Sequence, residues 1–296
     1  MMRVAFLGLG AIGEPMASHL ARPPFRLTVW NRTTEKATEF ARRYAVEAAP
    51  SAADAVRSAD VVITCLPSSR EVRDLVAGNG GLLSELKAGA ALVDCTSGDP
   101  ASSRDIAAML RDRDIDFVDA PVSGGVKGAV AGSLTVMCGG SEQSIGRVRP
   151  VLSAFAGKIV RCGEVGTGHA VKAMNQALLA IHIWSAGECL AALARLGVET
   201  ATALEVINGS SGRSNASEKL FPERVIGRAY PRTFRVALLD KDVSIAADIA
   251  AQANAPAPFI DLAARLFREA HNLLGDEADH VEAIKIIEER AGVTLG

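Results

Sequence analysis

Residues 3–20 read RVAFLGLGAIGEPMASHL. An apolar run, RVAFL, leads into Gly8, Gly10 and Gly13, spaced G-x-G-x-x-G, and EPMASHLA after them has the composition of a helix. Strand, glycine turn and helix in that order form the phosphate-binding unit of a doubly wound α/β sheet. The first glycine permits the tight turn, the second lets the backbone approach a pyrophosphate, and the third lets the helix pack on the strand. The helix start then faces the phosphates. The spacing alone is weak evidence, and an ordinary glycine turn is the alternative. The setting strengthens it, because a second strand, RLTVWN, ends about 20 residues further on. Dinucleotide contacts are expected from Gly8, Leu9, Gly10, Ala11, Ile12 and Gly13.

Outward from this turn, short β-like runs alternate with helical ones. The strand candidates are RVAFLG, RLTVWN, DVVITCL, ALVDCT, DFVDA, LTVMCGG and KIVRC. Most are rich in Val, Ile and Leu without strict alternation, as strands buried on both faces should be. Helical runs such as TTEKATEFARRYA and PASSRDIAAMLRDR separate them, which predicts a Rossmann-type, mainly parallel sheet. The pattern stops near Cys162. Beyond it, helices are predicted over roughly 167–196, 199–208, 215–227, 237–253, 258–275 and 279–291, with Gly or Pro at the breaks. The expected organisation is a dinucleotide-binding domain over 1–165 and an all-helical domain over 166–296, joined by the long helix.

The chain has 296 residues, 49% hydrophobic and 22% charged, with a formal net charge of −2. That balance gives no reason to expect nucleic acid or a membrane surface as a partner. No apolar run is expected to reach the roughly 20 residues of a spanning helix. The N-terminus runs straight into the glycine motif, which predicts no signal peptide. The five cysteines lack metal-like or redox-like spacing and the five histidines form no ligand cluster, so no metal is expected. Reduced core thiols and a cytoplasmic setting fit this usage.

The second strand ends in WNRT, where an NAD-preferring site usually carries an acid for the ribose 2′-hydroxyl. Here stand Asn31, Arg32 and Thr33. A guanidinium can pair with a 2′-phosphate in forked geometry, so NADP is expected over NAD, with NAD still possible. Alternatively, Arg32 stacks on the adenine and discriminates little. CLPSS (65–69) and DCTSGD (94–99) close later strands, and strand carboxyl ends line the ligand crevice of such a sheet. Leu66, Pro67 and Ser97 are therefore expected on the nicotinamide side. For Ser68 and Ser69, capping of the following helix is as good a reading.

DAPVSGGVKGAVAGSLTVM (119–137) carries Ser123, Gly124 and Gly125 in a loop of small residues. Open backbone N–H groups there could form an anion-binding concavity suited to a carboxylate-bearing substrate. A plain glycine-rich connection is the alternative. GHAVKAMNQ (168–176) then puts Lys172, Asn175 and Gln176 on one face of the long helix, near its start. A lone helical lysine usually snorkels to solvent. This one is flanked by small or apolar residues and has no acid at i±3 or i±4. A desolvated ammonium at the positive end of a helix sheds its proton more readily than one in water, which suits an acid/base lysine. Further on, LLDKDVSIA (238–246) places Lys241 beside Asp242, either as a solvated pair or as a closing element of the site.

Taken together, FLGLGAIGEPMASHL, DAPVSGGVKGAVAGSLTVM, GTGHAVKAMNQ and KDVSIA resemble, in order and spacing, the motifs of the β-hydroxyacid dehydrogenase family, in particular its 3-hydroxyisobutyrate dehydrogenases. The resemblance spans essentially the whole chain. It implies Lys172 as the acid/base residue, with Ser123, Gly124 and Gly125 holding the substrate carboxylate. It also implies Asn175 and Gln176 near the substrate, Lys241 on the cofactor and Asp242 supporting it. Some relatives carry a cofactor-contacting Asn where this chain has Glu71, an odd neighbour for a phosphate. The implied reaction is NAD(P)-dependent oxidation of a short 3-hydroxy acid such as 3-hydroxyisobutyrate. Reduction of a small semialdehyde or oxo acid (succinic, glyoxylic or tartronic) is the alternative, and a non-catalytic NADP sensor a distant one. The resemblance further implies homodimers or homotetramers formed through the helical domain.

Overall fold

Among the described residues, nine strands make one sheet: β1 (Met2–Leu7), β2 (Phe25–Trp30), β3 (Glu47–Ala48), β4 (Val61–Thr64), β5 (Ala91–Asp94), β6 (Asp116–Asp119), β7 (Val122–Ser123), β8 (Leu134–Gly139) and β9 (Ala156–Gly163). These come from a computed structural model describing residues 1–78 and 80–296. The chain divides into two compact units, Met1–Lys172 and Ala173–Gly296. The sheet belongs to the first, in the order β3-β2-β1-β4-β5-β6-β8-β7, with β9 on β8.

From β3 to β6 every pairing is parallel. The chain leaves β1 toward one edge through β2 and β3, then crosses back to β4 on the other side. This is the topological switch point at which ligands bind in open α/β sheets. Both faces are covered, which explains the missing alternation. Val4, Phe6, Ile63 and Val93 enter one core, and Ala5, Leu7, Val62 and Leu92 enter the other. Two short strands escape the sequence pattern, β3 and β7, each of two residues. The sheet also turns antiparallel at β6–β8 and β7–β8.

Register decides what stands at the carboxyl edge. Leu7 pairs with Trp30 and Thr64, Thr64 with Asp94, and Asp94 with Asp119. Asp119 in turn pairs with Gly139 of β8. Three polar residues that are far apart in the chain thus form one row at strand ends.

The second unit is helical. It contains the long helix Thr167–Arg195 from Ala173 onward, then Thr200–Asn208, Val236–Gln252, Pro258–Leu274 and Ile284–Ala291, the last entered through a 3-10 turn, His280–Ala283. The segment Ala216–Ile226, expected as an α-helix, is a π-helix with Pro222 inside it. The core includes Ala180, Ile183, Trp184, Phe221, Val243, Phe267 and Ile284. Trp184 meets Phe267 edge to face, with centroids 5.9 Å apart. Gly187, unfavourable within a helix, is explained by close packing: a Cβ there would lie 2.6 Å from Ile284 Cδ1.

One expectation is corrected. Helix Thr167–Arg195 is long and apolar enough, by length and composition, to cross a membrane, with a mean hydropathy of 1.6 over its most apolar window. Ala173, Ala177, Ala180, Ile183, Trp184, Leu190 and Ala191 of this helix lie in the helical unit's core. A core helix shared by several neighbours reaches the same composition.

Candidate active site

In the first unit, β1 runs into Gly8 at φ +107°, where a Cβ would lie 2.3 Å from the Cys65 carbonyl oxygen. At Gly13 a Cβ would sit 2.0 Å from the Gly8 carbonyl oxygen, so helix Gly13–Ser18 can pack here only against glycine. Gly10 differs, since a Cβ would meet nothing within 4 Å. The protein itself therefore does not require Gly10. Open space beside its Cα, ahead of a helix start, fits a cofactor pyrophosphate.

Asn31 clips this turn to the end of β2. Its Oδ1 accepts from Leu9 N at 2.9 Å, and its Nδ2 donates to the Thr33 carbonyl at 3.0 Å. Arg32 and Thr33 are exposed, and the Thr33 hydroxyl makes no capping bond to the helix it precedes. Glu71 has an intramolecular use: it accepts from the Ser68 hydroxyl, and Ser68 in turn accepts from Arg70 N at 3.2 Å to cap helix Ser69–Ala77. Glu71 thus orients the Ser68 hydroxyl that caps this helix. Ser69 instead accepts from Asp99 N at 2.7 Å.

The edge row is wired together. Asp94 Oδ1 accepts from Thr64 Oγ1 at 2.8 Å and from Thr96 N at 3.0 Å, and Thr96 Oγ1 accepts from Leu66 N at 3.1 Å. These bonds fix the turns that carry Leu66, Pro67 and Ser97. Thr64, Asp94 and Thr96 were not singled out from the sequence; the only signal was their place at strand ends.

The segment read as an open loop is largely helical. Ser123 ends β7, Gly124 and Gly125 turn at φ +136° and +62°, and Gly125–Ala131 is a helix. The two glycines adopt a backbone that other residues rarely reach, and the first N–H groups of the helix have no intrahelical acceptor.

The start of helix Thr167–Arg195 is tied to the sheet by two residues also missed in the sequence. Asp119 Oδ1 accepts from Gly166 N at 2.7 Å and its Oδ2 from His169 N at 2.9 Å. The His169 ring, fully buried, places Nδ1 2.6 Å from Ser103 Oγ and Nε2 3.9 Å from Asp94 Oδ2. Burial pushes the Asp119 carboxyl up from its usual range, against His169 and the two N–H donors. Lys172 follows one turn after His169 and is buried, with 8% of its surface exposed. The compact first unit ends there, inside the helix, because this first turn is bonded to β6 and helix Pro100–Arg111.

In the second unit, Asn175 Nδ2 donates to Gln176 Oε1 at 3.2 Å, and Gln176 Nε2 donates to Asp242 Oδ2 at 3.1 Å. Asp242 Oδ1 pairs with Lys241 Nζ at 3.0 Å. Asp242 is 2% exposed, so this chain of contacts is the interior link between two helices, not a solvated face. Among the described residues, no group of three or more His, Cys, Asp or Glu could hold a metal ion.

Residues 3–163 match the family model described as the NAD binding domain of 6-phosphogluconate dehydrogenase. Residues 166–287 match the one described as NAD-binding of NADP-dependent 3-hydroxyisobutyrate dehydrogenase. The chain is 33% identical to the 2-(hydroxymethyl)glutarate dehydrogenase of Eubacterium barkeri over 99% of its own length and 97% of that protein's. It is 35% identical to the NAD-dependent L-serine dehydrogenase of Pseudomonas aeruginosa, over 90% and 92% of the two chains. Its structure resembles that of Mycobacterium tuberculosis 3-hydroxyisobutyrate dehydrogenase with L-serine, at a TM-score of 0.89 and 31% identity, covering 97% and 99%. With the glycine turn, the strand-end row and the lysine-bearing helix in place, these matches over nearly the whole length show that the chain belongs to the β-hydroxyacid dehydrogenase family and is an NAD(P)-dependent oxidoreductase acting on a CH–OH group.

Proposed function

We propose that the chain oxidises a short 3-hydroxy acid of the form HOCH2–CHR–COO⁻, with 3-hydroxyisobutyrate first in line, and that Lys172 is its acid/base. The observation that carries this is the buried Lys172, one turn beyond a helix start bonded to the sheet's carboxyl edge. The relatives support the substrate class. The compounds in their names (3-hydroxyisobutyrate, L-serine and 2-(hydroxymethyl)glutarate) share a primary alcohol two carbons from a carboxylate and differ in R.

A bound nicotinamide cofactor supplies the two-electron acceptor. The glycine turn and Asn31, Arg32, Thr33, Leu66, Pro67, Ser97 and Lys241 would hold it, and Arg32 with no acid beside it would favour NADP. Lys172 Nζ takes the hydroxyl proton as the C–H bond breaks with its electron pair and the carbonyl forms; in the reductive direction it returns that proton. Ser123 and the Gly124–Gly125 turn hold the carboxylate. Asn175 and Gln176 are assigned to the substrate, and Asp242 bonds to both Gln176 and Lys241. Holding reactants in such geometry supplies up to about 7–11 kcal/mol of a barrier.

The same reading gives a reducing, cytoplasmic protein and a homodimer or homotetramer. Exposed Phe259, Leu262 and Leu273 lie along one stripe of helix Pro258–Leu274, which supports assembly through the helical unit. The test is kcat/KM for 3-hydroxyisobutyrate, L-serine, 2-(hydroxymethyl)glutarate and the small semialdehydes, each with NADP and NAD. A 3-hydroxyisobutyrate value orders of magnitude below another compound's overturns the named substrate, and a higher value with NAD overturns the cofactor preference. Lys172→Ala should lose several orders of magnitude in kcat while still binding NADP; unchanged turnover overturns its role.

A further inference from the structure

We propose that Asp119 is a positioning residue for Lys172: its carboxylate grips the backbone leading into the lysine and thereby sets where Nζ stands. The inference rests on the reading of Lys172 as the acid/base group.

Asp119 is the last residue of β6, held between Asp94 of β5 and Gly139 of β8. Its side chain is fully buried. Its two oxygens take the N–H groups of Gly166 and His169, residues 47 and 50 positions later in the chain. Such bonds satisfy donors that a helix start leaves open, and a negative charge there complements the helix dipole. An ordinary capping residue starts a helix from within its own segment. This cap comes from the sheet, so it also fixes where the helix begins relative to the strand ends. The second bond is one turn before Lys172 in the same helix.

The seat leaves no slack. A Cβ at Gly139 would lie 2.4 Å from Asp119 Oδ1, and one at Gly168 would lie 2.8 Å from Oδ2 and 2.3 Å from the Met137 carbonyl oxygen. Two glycines, one on β8 and one in the helix's first turn, thus close around the carboxylate. A serine could cap a helix without the cost of burying a charge. A carboxylate with two acceptor oxygens can grip both N–H groups at once. Ser103, bonded to the His169 ring from helix Pro100–Arg111, adds a second tether to the same turn.

The test is kcat per NADP-binding site, with site number taken from NADP fluorescence titration and 3-hydroxyisobutyrate as substrate. Misplacement of a catalytic group by an ångström costs on the order of a hundredfold. Asp119→Asn keeps the volume and replaces one acceptor, so kcat per site should fall about a hundredfold. The Kd for NADP should hold within about twofold and KM within a few-fold. Asp119→Ser should fall between Asn and wild type or near Asn, and it serves if Asn does not fold. Asp116→Asn, on the same strand but paired at the surface with Arg147, should leave kcat unchanged. Wild-type kcat per site in the Asn or Ser variant overturns the proposal. So does a change confined to KM, which would assign Asp119 to the Ser123 turn instead. If the wild-type protein turns over none of the 3-hydroxy acids, the functional reading fails, and amide hydrogen exchange still decides the anchor. Exchange at 166–169 should quicken in Asp119→Asn with the rest of the helix unchanged; equal exchange overturns it.

Discussion

Asp279 is the most heavily used carboxylate in the helical unit, and its removal has a calculable cost. It is fully buried. Its Oδ1 accepts from Arg224 Nη1 at 3.0 Å and Val281 N at 3.1 Å; its Oδ2 accepts from Thr233 N, Thr233 Oγ1 and Phe234 N at 3.0, 3.1 and 3.2 Å. It thereby joins the π-helix, the segment entering Val236–Gln252, and the turn His280–Ala283. Arg224 is itself 9% exposed, and its Nε has no hydrogen-bond partner, so the guanidinium depends on Asp279. Asp279→Asn strands that buried cation, and breaking one partner out of a buried pair costs about 3–5 kcal/mol. For a unit of this size, that is a fall in Tm of roughly 10–20 °C. Asp279→Ala, which also abandons three N–H donors and a hydroxyl, should cost more.

Urea denaturation at neutral pH, followed by far-UV circular dichroism, measures the difference. Arg224→Met combined with Asp279→Asn removes the stranded charge and should recover at least half of the loss, which a double-mutant cycle reads directly. The pH dependence has a definite sign. Burial by itself would push the Asp279 carboxyl up, but the hydrogen bond and charge of His280 and the N–H groups of Thr233 and Val281 outweigh it and hold the group well below the usual carboxylate range. A carboxyl depressed in the folded state stabilises above its unfolded value, about pH 4, and loses that contribution as pH falls through the folded value. The gap between wild type and Asp279→Asn should therefore be open above about pH 5 and shrink below about pH 4. A variant within about 1 kcal/mol of wild type, or a gap that does not change in acid, refutes the reasoning.

Three substitutions probe the nucleotide end. Gly10→Ala should fold with an unchanged Tm yet raise the Kd for NADP at least about tenfold, since its Cβ meets only the space a pyrophosphate would use. Gly13→Ala should instead lose about 1–3 kcal/mol of stability, because its Cβ strikes the Gly8 carbonyl; thermal melts and fluorescence titration separate the two. Asn31→Asp keeps an oxygen for Leu9 N but sets a negative charge beside the expected 2′-phosphate. The ratio of kcat/KM for NADP over NAD should fall by about tenfold or more, and an unchanged ratio would discount this position as a selectivity element.

Much of the architecture was legible because hydrophobic period and glycine placement are local. The long helix, expected over 167–196, runs Thr167–Arg195. The apolar strands appear where their Val- and Ile-rich runs stand. The two-residue strands were not legible, since Glu47–Ala48 and Val122–Ser123 are strands only by virtue of a neighbour to pair with. Nor was the helix at Gly125–Ala131, whose small residues read equally well as a loop. Pro222 within Ala216–Ile226 marks a stretch whose hydrogen bonding departs from the α pattern in a way composition does not encode.

By itself, the sequence determined the two-part organisation, the strand–glycine–helix turn and the residue types at each motif, because each depends on neighbours a few positions away. Only the tertiary structure decided what those residues do with one another. Strand register brought Thr64, Asp94 and Asp119 to one edge. Burial turned Lys241–Asp242 from a possible surface pair into a link to Gln176. Asp119 acquired its two amide partners some 50 residues downstream. Hydrogen-bond partners across such separations are set by how the sheet and helices pack, and no local pattern carries that information.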